Sequence, residues 1–436
     1  MEFGKHIDKA IWAFAAKALP AVYGIGFVFL VARVLPKEEY GGYVIIQTMF
    51  NVLSAVSAAF ALQPLTKLAA ETKQPSSLLT ASLSMQLAFF CMISIGILFL
   101  RHLIAGAFDP NGDINLESLL PYIPLLLLVS MYRNLVVTIL QSRYEVQRIF
   151  WIDAVYFLGV LAVIVVAHNV GLLQTASDVL RIVVVMFVCS TVLAILLTRR
   201  MISFALSGLR DAIAAMWRLG KFMFAGGVTY TLFVQMDVFF VTMFLGPVAA
   251  ATYYNGKIFT RMFDLLAGVL QMFLVPFSSK AFRRNDREQL TAVAEKSICF
   301  SLLALLPVCI VMLFFAQPIL HFLFDGKYDD AAPVMRILSV LAIIVPWNAV
   351  AVGYLTGAGN VKRGLYASIG LIVIALPMYA LLTKFFGMIG ASIALVSAFS
   401  VISVWLVFQL KQVILLRFWN VLKRVKDVRE FIFSTK

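Results

Sequence analysis

The stretch FFVTMFLGPVAAATYYNGKIFTRM, residues 239–262, ends one apolar segment, turns at Gly246-Pro247 and begins a second apolar segment. The second segment carries Lys257 and Arg261 among residues that otherwise suit a hydrocarbon environment. A bilayer core of about 30 Å is crossed by about 20 predominantly apolar helical residues. The stretch therefore predicts two membrane-spanning helices that are joined by a tight turn.

The composition of the whole chain supports a membrane location. Of the 436 residues, 62% are apolar and 13% are charged, and the mean hydropathy is +0.95. Soluble domains contain about 45–50% apolar and about 25% charged residues. We therefore predict an all-α integral membrane protein. The net charge of +14 does not indicate nucleic acid as a partner, because most basic residues flank apolar segments, as membrane topology requires.

Twelve segments are long and apolar enough to span a bilayer. In the first half of the chain they are 10–33, 43–66, 79–100, 119–141, 150–170 and 177–198. In the second half they are 221–245, 250–276, 297–316, 332–357, 365–383 and 387–410. The first segment is longer than the apolar core of a signal peptide, about 7–15 residues, so we interpret it as an uncleaved span.

The charges of the connecting loops predict the orientation of these spans. If the N-terminus is cytoplasmic, 25 of the 36 Lys and Arg residues lie in cytoplasmic segments and five lie in external connections. Membrane proteins carry an excess of basic residues in their cytoplasmic loops. We therefore predict that both termini face the cytoplasm.

The two halves of the chain repeat. Three landmarks recur at offsets of 211, 212 and 215 residues: Leu35-Pro36 with Gly246-Pro247, Pro64 with Pro276, and LQSRYEVQR at 140–148 with LTGAGNVKR at 355–363. Each half begins inside and has six spans. We therefore predict two six-helix lobes around a central cleft, related by a pseudo-twofold axis along the membrane normal.

This division gives four regions. The N-lobe is 1–198, a cytoplasmic linker is 199–220, the C-lobe is 221–410 and a basic tail is 411–436. The linker and the tail both place apolar residues at helical spacing opposite charged ones, which is typical of helices that lie in the membrane interface on anionic lipid. A frayed basic terminus is the alternative for the tail.

Several ionisable residues lie deep in the predicted spans. Each costs about 2.5–3.5 kcal/mol on insertion scales, which indicates function or a structural pair. Lys257, Arg261 and Asp264 follow one another at i, i+4 and i+7, a spacing that predicts one helix face. Arg261 is about eleven residues from either end of its span, too far for its side chain to reach the interface.

Three further spans carry a deep charge, namely Lys17, Arg133 and Asp237. The two cations can also be interpreted as side chains that reach the interface, and Asp237 and Asp264 as counter-charges in structural pairs. Because cations outnumber carboxylates by four to two in the whole set, we expect the cleft to attract an anion. Arginine in particular suits bidentate contact with phosphate.

Two stretches of the sequence resemble a known family. VARVLPKEEYGGYVI at 31–45 and the stretch at 239–262, together with twelve spans and cytoplasmic termini, resemble the polysaccharide biosynthesis flippases. These form the lipid-linked oligosaccharide branch of the multidrug/oligosaccharidyl-lipid/polysaccharide exporter superfamily. The resemblance covers essentially the whole chain and implies a multi-pass protein of the inner or plasma membrane of a bacterium.

The resemblance also implies an activity and a site. The expected function is transfer of an undecaprenyl-diphosphate-linked oligosaccharide from the cytoplasmic to the outer leaflet by alternating access. Lys17, Lys257 and Arg261 match the family's cationic cleft residues. We add Arg133 to these candidates because it is positively charged and lies deep in its span. Expected partners are the lipid-linked oligosaccharide, anionic lipids and other glycan-assembly membrane proteins. Lipopolysaccharide, capsule and exopolysaccharide stay equally open as the polymer.

Two other classes of function are weighed against this one. The alternative is a multidrug extruder coupled to H⁺ or Na⁺, for which Asp237 and Asp264 are the candidate coupling residues, but such pumps take cationic substrates. An enzyme is not expected, since no external stretch offers a constellation of acid, base and nucleophile. No nucleotide motif is found, and the four cysteines and four histidines form no metal motif, so no cofactor is expected.

Overall fold

The computed structural model describes residues 3–72, 75–110, 112, 114–143, 145–284, 286–358, 361–412, 414–416 and 418–426. Every regular element among these residues is helical, which confirms the predicted all-α class. The chain divides into two compact units, Met1–Thr252 and Tyr253–Lys436. The segment of the predicted seventh span thus belongs to the N-terminal unit, and the lobes deduced from the repeat stay a prediction.

In the described residues, the helices that begin in the N-terminal unit are α1 (Phe3–Val34), α2 (Lys37–Ser57), α3 (Gln63–Glu71), α4 (Ser76–Phe108), α5 (Leu116–Leu119), α6 (Tyr122–Ser142), α7 (Val146–Asn169), α8 (Ala176–Thr198) and α9 (Leu209–Lys257). Those of the C-terminal unit are α10 (Arg261–Arg283), α11 (Arg287–Phe314), α12 (Ala316–Phe324), α13 (Ala332–Ser339), α14 (Leu341–Gly357), α15 (Val361–Lys411) and α16 (Phe418–Lys423). A π-helical turn, Ala58–Leu62, joins α2 to α3, and a 3₁₀ turn, Ile258–Thr260, joins α9 to α10.

Eight helical stretches in the described part are long and apolar enough to cross a membrane, or nine if the bent pair α13–α14 is one span. Two of the eight, Phe224–Phe282 and Ile369–Lys411, are 59 and 43 residues long. Each contains a glycine with a non-helical backbone, Gly246 with φ of 82° and Gly387 with φ of 60°. Only glycine adopts such angles without strain, so these two positions break the helices sharply.

The turn at Gly246-Pro247 packs closely against the first turns of α2. A Cβ atom on Gly41 of α2 would lie 2.6 Å from the carbonyl carbon of Pro247. Tyr40 and Tyr43, on either side, are buried. The two turns that the internal repeat relates to each other are therefore in direct contact within the N-terminal unit.

The linker differs from its prediction. The sequence predicts a helix from Arg199 to Arg218, but residues 202–206 are not helical and α9 begins only at Leu209, after Gly208 with φ of 72°. The backbone N–H of Ala205 instead donates to the hydroxyl of Thr80 at 3.0 Å. Ile202 packs against the core of the N-terminal unit. The first half of the predicted linker helix is therefore wrong, because this segment bonds to α4 rather than to itself.

The tail is helical only in part. Residues 414–416 are not helical, α16 is six residues long, and 427–436 lie outside the described residues. The Phe418 ring stacks on Trp347 with 5.7 Å between centroids. Arg424 donates from Nε and from its terminal nitrogen to one oxygen of Glu295, both at 3.1 Å, and Glu295 is buried. The described tail residues Phe418 and Arg424 therefore contact α14 and α11, and the prediction of one continuous helix from Lys411 to Phe433 is wrong.

This docking leads to a first prediction. Arg424→Ala leaves the buried Glu295 carboxylate without its cation, and since Arg424 is one-third exposed, we expect a loss of about 1 kcal/mol in unfolding free energy. Thermal unfolding of the detergent-solubilised protein measures it, with the exposed Lys426→Ala as the matched control. Equal melting temperatures for the two variants would mean that the ion pair does not hold the tail.

Candidate functional site

The predicted eighth span is interrupted between its two cations. Lys257 is the last residue of α9, the 3₁₀ turn follows, and Arg261 begins α10. The hydroxyl of Thr260 donates to the carbonyl oxygen of Lys257 at 2.8 Å, within this turn. Short 3₁₀ stretches inside a longer helix often mark functional hinges. The cations thus lie on a local irregularity rather than on a regular helix.

The two faces of this junction differ in accessibility. Tyr253, Ile258 and Phe263 are buried in the C-terminal unit. On the other side, Tyr254, Lys257 and Arg261 are half-buried and Asp264 is exposed. We call Tyr254, Lys257, Arg261 and Asp264 the cationic stripe. The prediction that Lys257, Arg261 and Asp264 share one face of one helix stays a prediction, because the 3₁₀ turn separates Lys257 from the other two residues.

Arg261 is held in position by an aromatic neighbour. Its guanidinium donates to the hydroxyl of Tyr254 at 2.6 Å and lies 5.9 Å from the centre of the same ring. One hydrogen bond to Tyr254 uses one of the five N–H donors of an arginine, so further donors can meet an anion. Sequence reasoning missed Tyr254, although its spacing of seven residues from Arg261 places the two on the same face of a regular helix.

Arg133 occupies a different environment in the N-terminal unit. It is buried on α6, forms an ion pair with Asp153 of α7 and donates from Nε to the Ser190 hydroxyl of α8 at 2.9 Å. The rings of Tyr156 and Phe187 lie 5.2 and 5.7 Å from its guanidinium carbon. Three helices therefore converge on one neutralised cation. Sequence reasoning missed Asp153 because it lies only three residues into its span, where a charge looks like an end-of-helix residue.

The remaining predicted residues are not brought into the stripe. Asp237 is fully buried on α9, and one of its carboxylate oxygens accepts the backbone N–H of Val238 at 2.8 Å. Lys17 belongs to α1, but its side chain lies outside the described residues. The roles predicted for Asp237 and Lys17 therefore stay predictions.

The stripe combines three hydrogen-bond donors with one carboxylate. It offers one guanidinium, one ammonium and a phenol, a donor set that matches phosphate oxygens. In the described ranges no group of three or more His, Cys, Asp or Glu residues could hold a metal ion. The stripe therefore offers hydrogen-bond donors and positive charge beside the carboxylate of Asp264.

Comparison with known proteins gives a family match. Residues 30–333 match the model of a family described as polysaccharide biosynthesis protein. A probable low-salt glycan biosynthesis flippase, Agl15 of Haloferax volcanii, is 21% identical over 394 residues, which are 87% of this chain and 79% of that protein. An uncharacterised membrane protein of Methanocaldococcus jannaschii, MJ1068, is 29% identical over 217 residues. That match spans 48% of this chain and only 42% of the relative.

Two solved structures share the fold. The lipid II flippase MurJ in an inward closed conformation has a TM-score of 0.75, covers 96% of this chain and 89% of its own, and is 13% identical. A multidrug resistance MATE family transporter of the MOP superfamily, in an inward-facing conformation, also has a TM-score of 0.75, with 91% and 97% covered and 14% identity. At such identities the likeness concerns the fold alone.

Proposed function

We propose that this chain, which belongs to the polysaccharide biosynthesis protein family, is a MOP-superfamily flippase that moves an undecaprenyl-diphosphate-linked oligosaccharide from the cytoplasmic to the outer leaflet. The family membership and the similarity to Agl15 support transport of a lipid-linked glycan. The undecaprenyl diphosphate, the direction and a bacterial cell membrane are our proposals.

The cationic stripe is the observation that carries this proposal. A diphosphate group needs several donors and positive charge, and Lys257 and Arg261 supply both on an accessible surface. Arg261 is preorganised by its hydrogen bond to Tyr254, so less side-chain freedom is lost when the anion binds. Asp264 is the counter-charge when no anion is present.

Alternating access requires helices that move as groups. We propose twelve spans in two six-helix lobes, since the breaks at Gly246 and Gly387 divide the two longest apolar stretches into two spans each. The long α1 and the bent pair α13–α14 supply the others. Rocking of one lobe against the other would then expose the stripe to each side in turn, with both termini in the cytoplasm.

The test compares two substitutions of the same arginine. Arg261→Ala is expected to reduce outward transfer of the lipid-linked glycan about tenfold, because one charge-assisted contact with phosphate is lost. Arg261→Lys is expected to retain part of the activity, since it keeps the charge but not the planar fork. The measurement is the leaflet location of the glycan in a flippase-deficient bacterium, at equal membrane abundance of each variant.

Arg336→Ala is the matched control, because Arg336 is an exposed arginine of α13 in the same unit. It should transfer glycan like the wild type. Normal transfer by Arg261→Ala would remove the stripe from the mechanism. A wild-type protein that moves no glycan but lowers the accumulation of cationic dyes would replace the flippase proposal with an extruder.

A further inference from the structure

The C-terminal tail continues directly from an apolar stretch that is long enough to span the membrane. That stretch ends at Lys411, and the tail is next described at Ile414. The three steps between these two residues cover at most about 11 Å, even where the chain is fully extended. The described tail therefore starts close to the level at which hydrocarbon meets water.

One side of the tail packs on the C-terminal unit. Ile414, Leu416 and Val421 are each at most 4% exposed. The contact of Phe418 with α14 and the ion pair of Arg424 with α11 belong to the same segment. These five residues form the inner side of the tail, and they fix which way it faces the protein.

The rest of the tail exposes large apolar side chains together with lysines. Leu415 is 75% exposed, Trp419 73% and Val425 44%. Water is a poor environment for such side chains, so their exposure indicates a partner. We call the exposed residues the outer face of the tail, namely Leu415, Trp419, Val425, Lys411, Lys423 and Lys426.

The chemistry of the outer face favours an anionic membrane surface. Tryptophan is enriched where hydrocarbon meets water, because its ring is apolar and its N–H is polar. Residues 411–426 contain five Lys or Arg residues and no Asp or Glu. Each cation near an anionic leaflet adds an attraction that a zwitterionic leaflet does not supply. The position and the charge of the tail together therefore select anionic phospholipid as its partner.

We propose that the outer face of the tail binds anionic phospholipid headgroups while the inner side stays packed on α11 and α14. Docking fixes the backbone that carries Trp419 and the lysines, so a docked tail loses less freedom on binding lipid than a released tail. A lipid that prefers the docked tail stabilises docking by the same free energy. The tail is thus a bridge through which lipid charge stabilises the C-terminal unit, whichever substrate the protein moves.

Fluorescence quenching by brominated lipids tests the contact. The purified full chain is placed in nanodiscs that contain phosphatidylcholine and phosphatidylglycerol, with bromine on the acyl chains of one lipid or the other at the same mole fraction. The emission of Trp419 is the difference between the wild type and Trp419→Phe. We expect brominated phosphatidylglycerol to quench this emission about three times as much as brominated phosphatidylcholine, because the lysines enrich the anionic lipid locally.

Two outcomes of this measurement would overturn the proposal. Equal quenching by the two lipids would refute the preference for anionic headgroups. No quenching of Trp419 by either lipid would show that another protein surface, such as a second copy of the chain, covers the outer face.

Removal of two lysines tests the role of charge. Lys423→Gln/Lys426→Gln should bring the quenching by the two lipids close to equal. Lys280→Gln/Lys384→Gln is the matched control, because it removes two exposed lysines from other helices of the same unit, and it should keep the preference. A preference that survives in the first variant, or that is lost equally in both, would refute the assignment to the tail.

Thermal unfolding in nanodiscs tests the bridge. The wild type should melt about 2 °C higher with phosphatidylglycerol present than in phosphatidylcholine alone, because the bound lipid holds the docked tail. Arg424→Ala breaks the contact with Glu295 and should lose most of this difference, since lipid on a released tail no longer acts on α11. Arg336→Ala, at an exposed arginine of α13, should keep it. An undiminished difference in Arg424→Ala would show that the lipid acts elsewhere and would overturn the bridge.

Discussion

Arg133→Leu is expected to lower the free energy of unfolding by about 3–5 kcal/mol, the usual effect of removing one partner of a buried ion pair. Asp153 would stay buried without its cation, and the Ser190 hydroxyl would lose a donor. The measurement is thermal unfolding of the solubilised protein. At this size the effect corresponds to a change of at least a hundredfold in the ratio of folded to unfolded protein.

The double variant Arg133→Leu/Asp153→Leu separates charge from packing. Replacing both partners of a buried pair with apolar residues is often neutral or stabilising, so the double variant should recover most of the loss. Arg181→Leu is the matched control, because Arg181 is an exposed arginine of α8 whose contact with Asp178 is screened by water, so its loss should leave the melting temperature nearly unchanged. A stable Arg133→Leu protein that has lost transport would instead support the substrate-binding role predicted from the sequence.

Gly41→Val is the second large effect that we expect, a loss of about 3 kcal/mol in the free energy of unfolding. The new side chain would overlap the backbone of Pro247, which cannot rotate away as a side chain can. The two turns must therefore separate, and the measurement is again thermal unfolding together with the abundance of the protein in membranes.

The neighbouring glycine supplies the control. A Cβ on Gly42 would lie 2.9 Å from the terminal methyl groups of Ile114 and Leu119, which are the mobile ends of side chains. Gly42→Ala should therefore cost less than about 1 kcal/mol, while Gly41→Ala should cost more than that. Equal melting temperatures for these two alanine variants would contradict this prediction, because they would show that the turn at Pro247 moves aside with little loss of stability.

The sequence predicts the helical class and most helix positions because apolar length is a strong signal. The prediction from sequence fails where backbone geometry interrupts a helix. Gly208 and the hydrogen bond from Ala205 to Thr80 interrupt a segment whose side-chain pattern is that of a helix. The 3₁₀ turn before Arg261 likewise leaves the spacing of charges unchanged, so no pattern of residue types reveals it.

The candidate site was predictable in part for a related reason. Depth in a span identified Arg261 and Lys257, which are accessible, but it identified Arg133 by the same argument, and Arg133 is buried with Asp153. Depth measures distance from the interface along one helix. It does not report which helix stands opposite, and that neighbour decides whether a cation is neutralised.

The 3₁₀ turn Ile258–Thr260 has a consequence for the spacing of the two cations. A 3₁₀ turn advances about 2.0 Å and 120° per residue, against about 1.5 Å and 100° in an α-helix. If its three residues rewound into an α-helix, α10 would be drawn toward α9 by about 1.5 Å and rotated by about 60°. A change between 3₁₀ and α-helical winding in this short segment would therefore rotate Arg261 about the helix axis relative to Lys257.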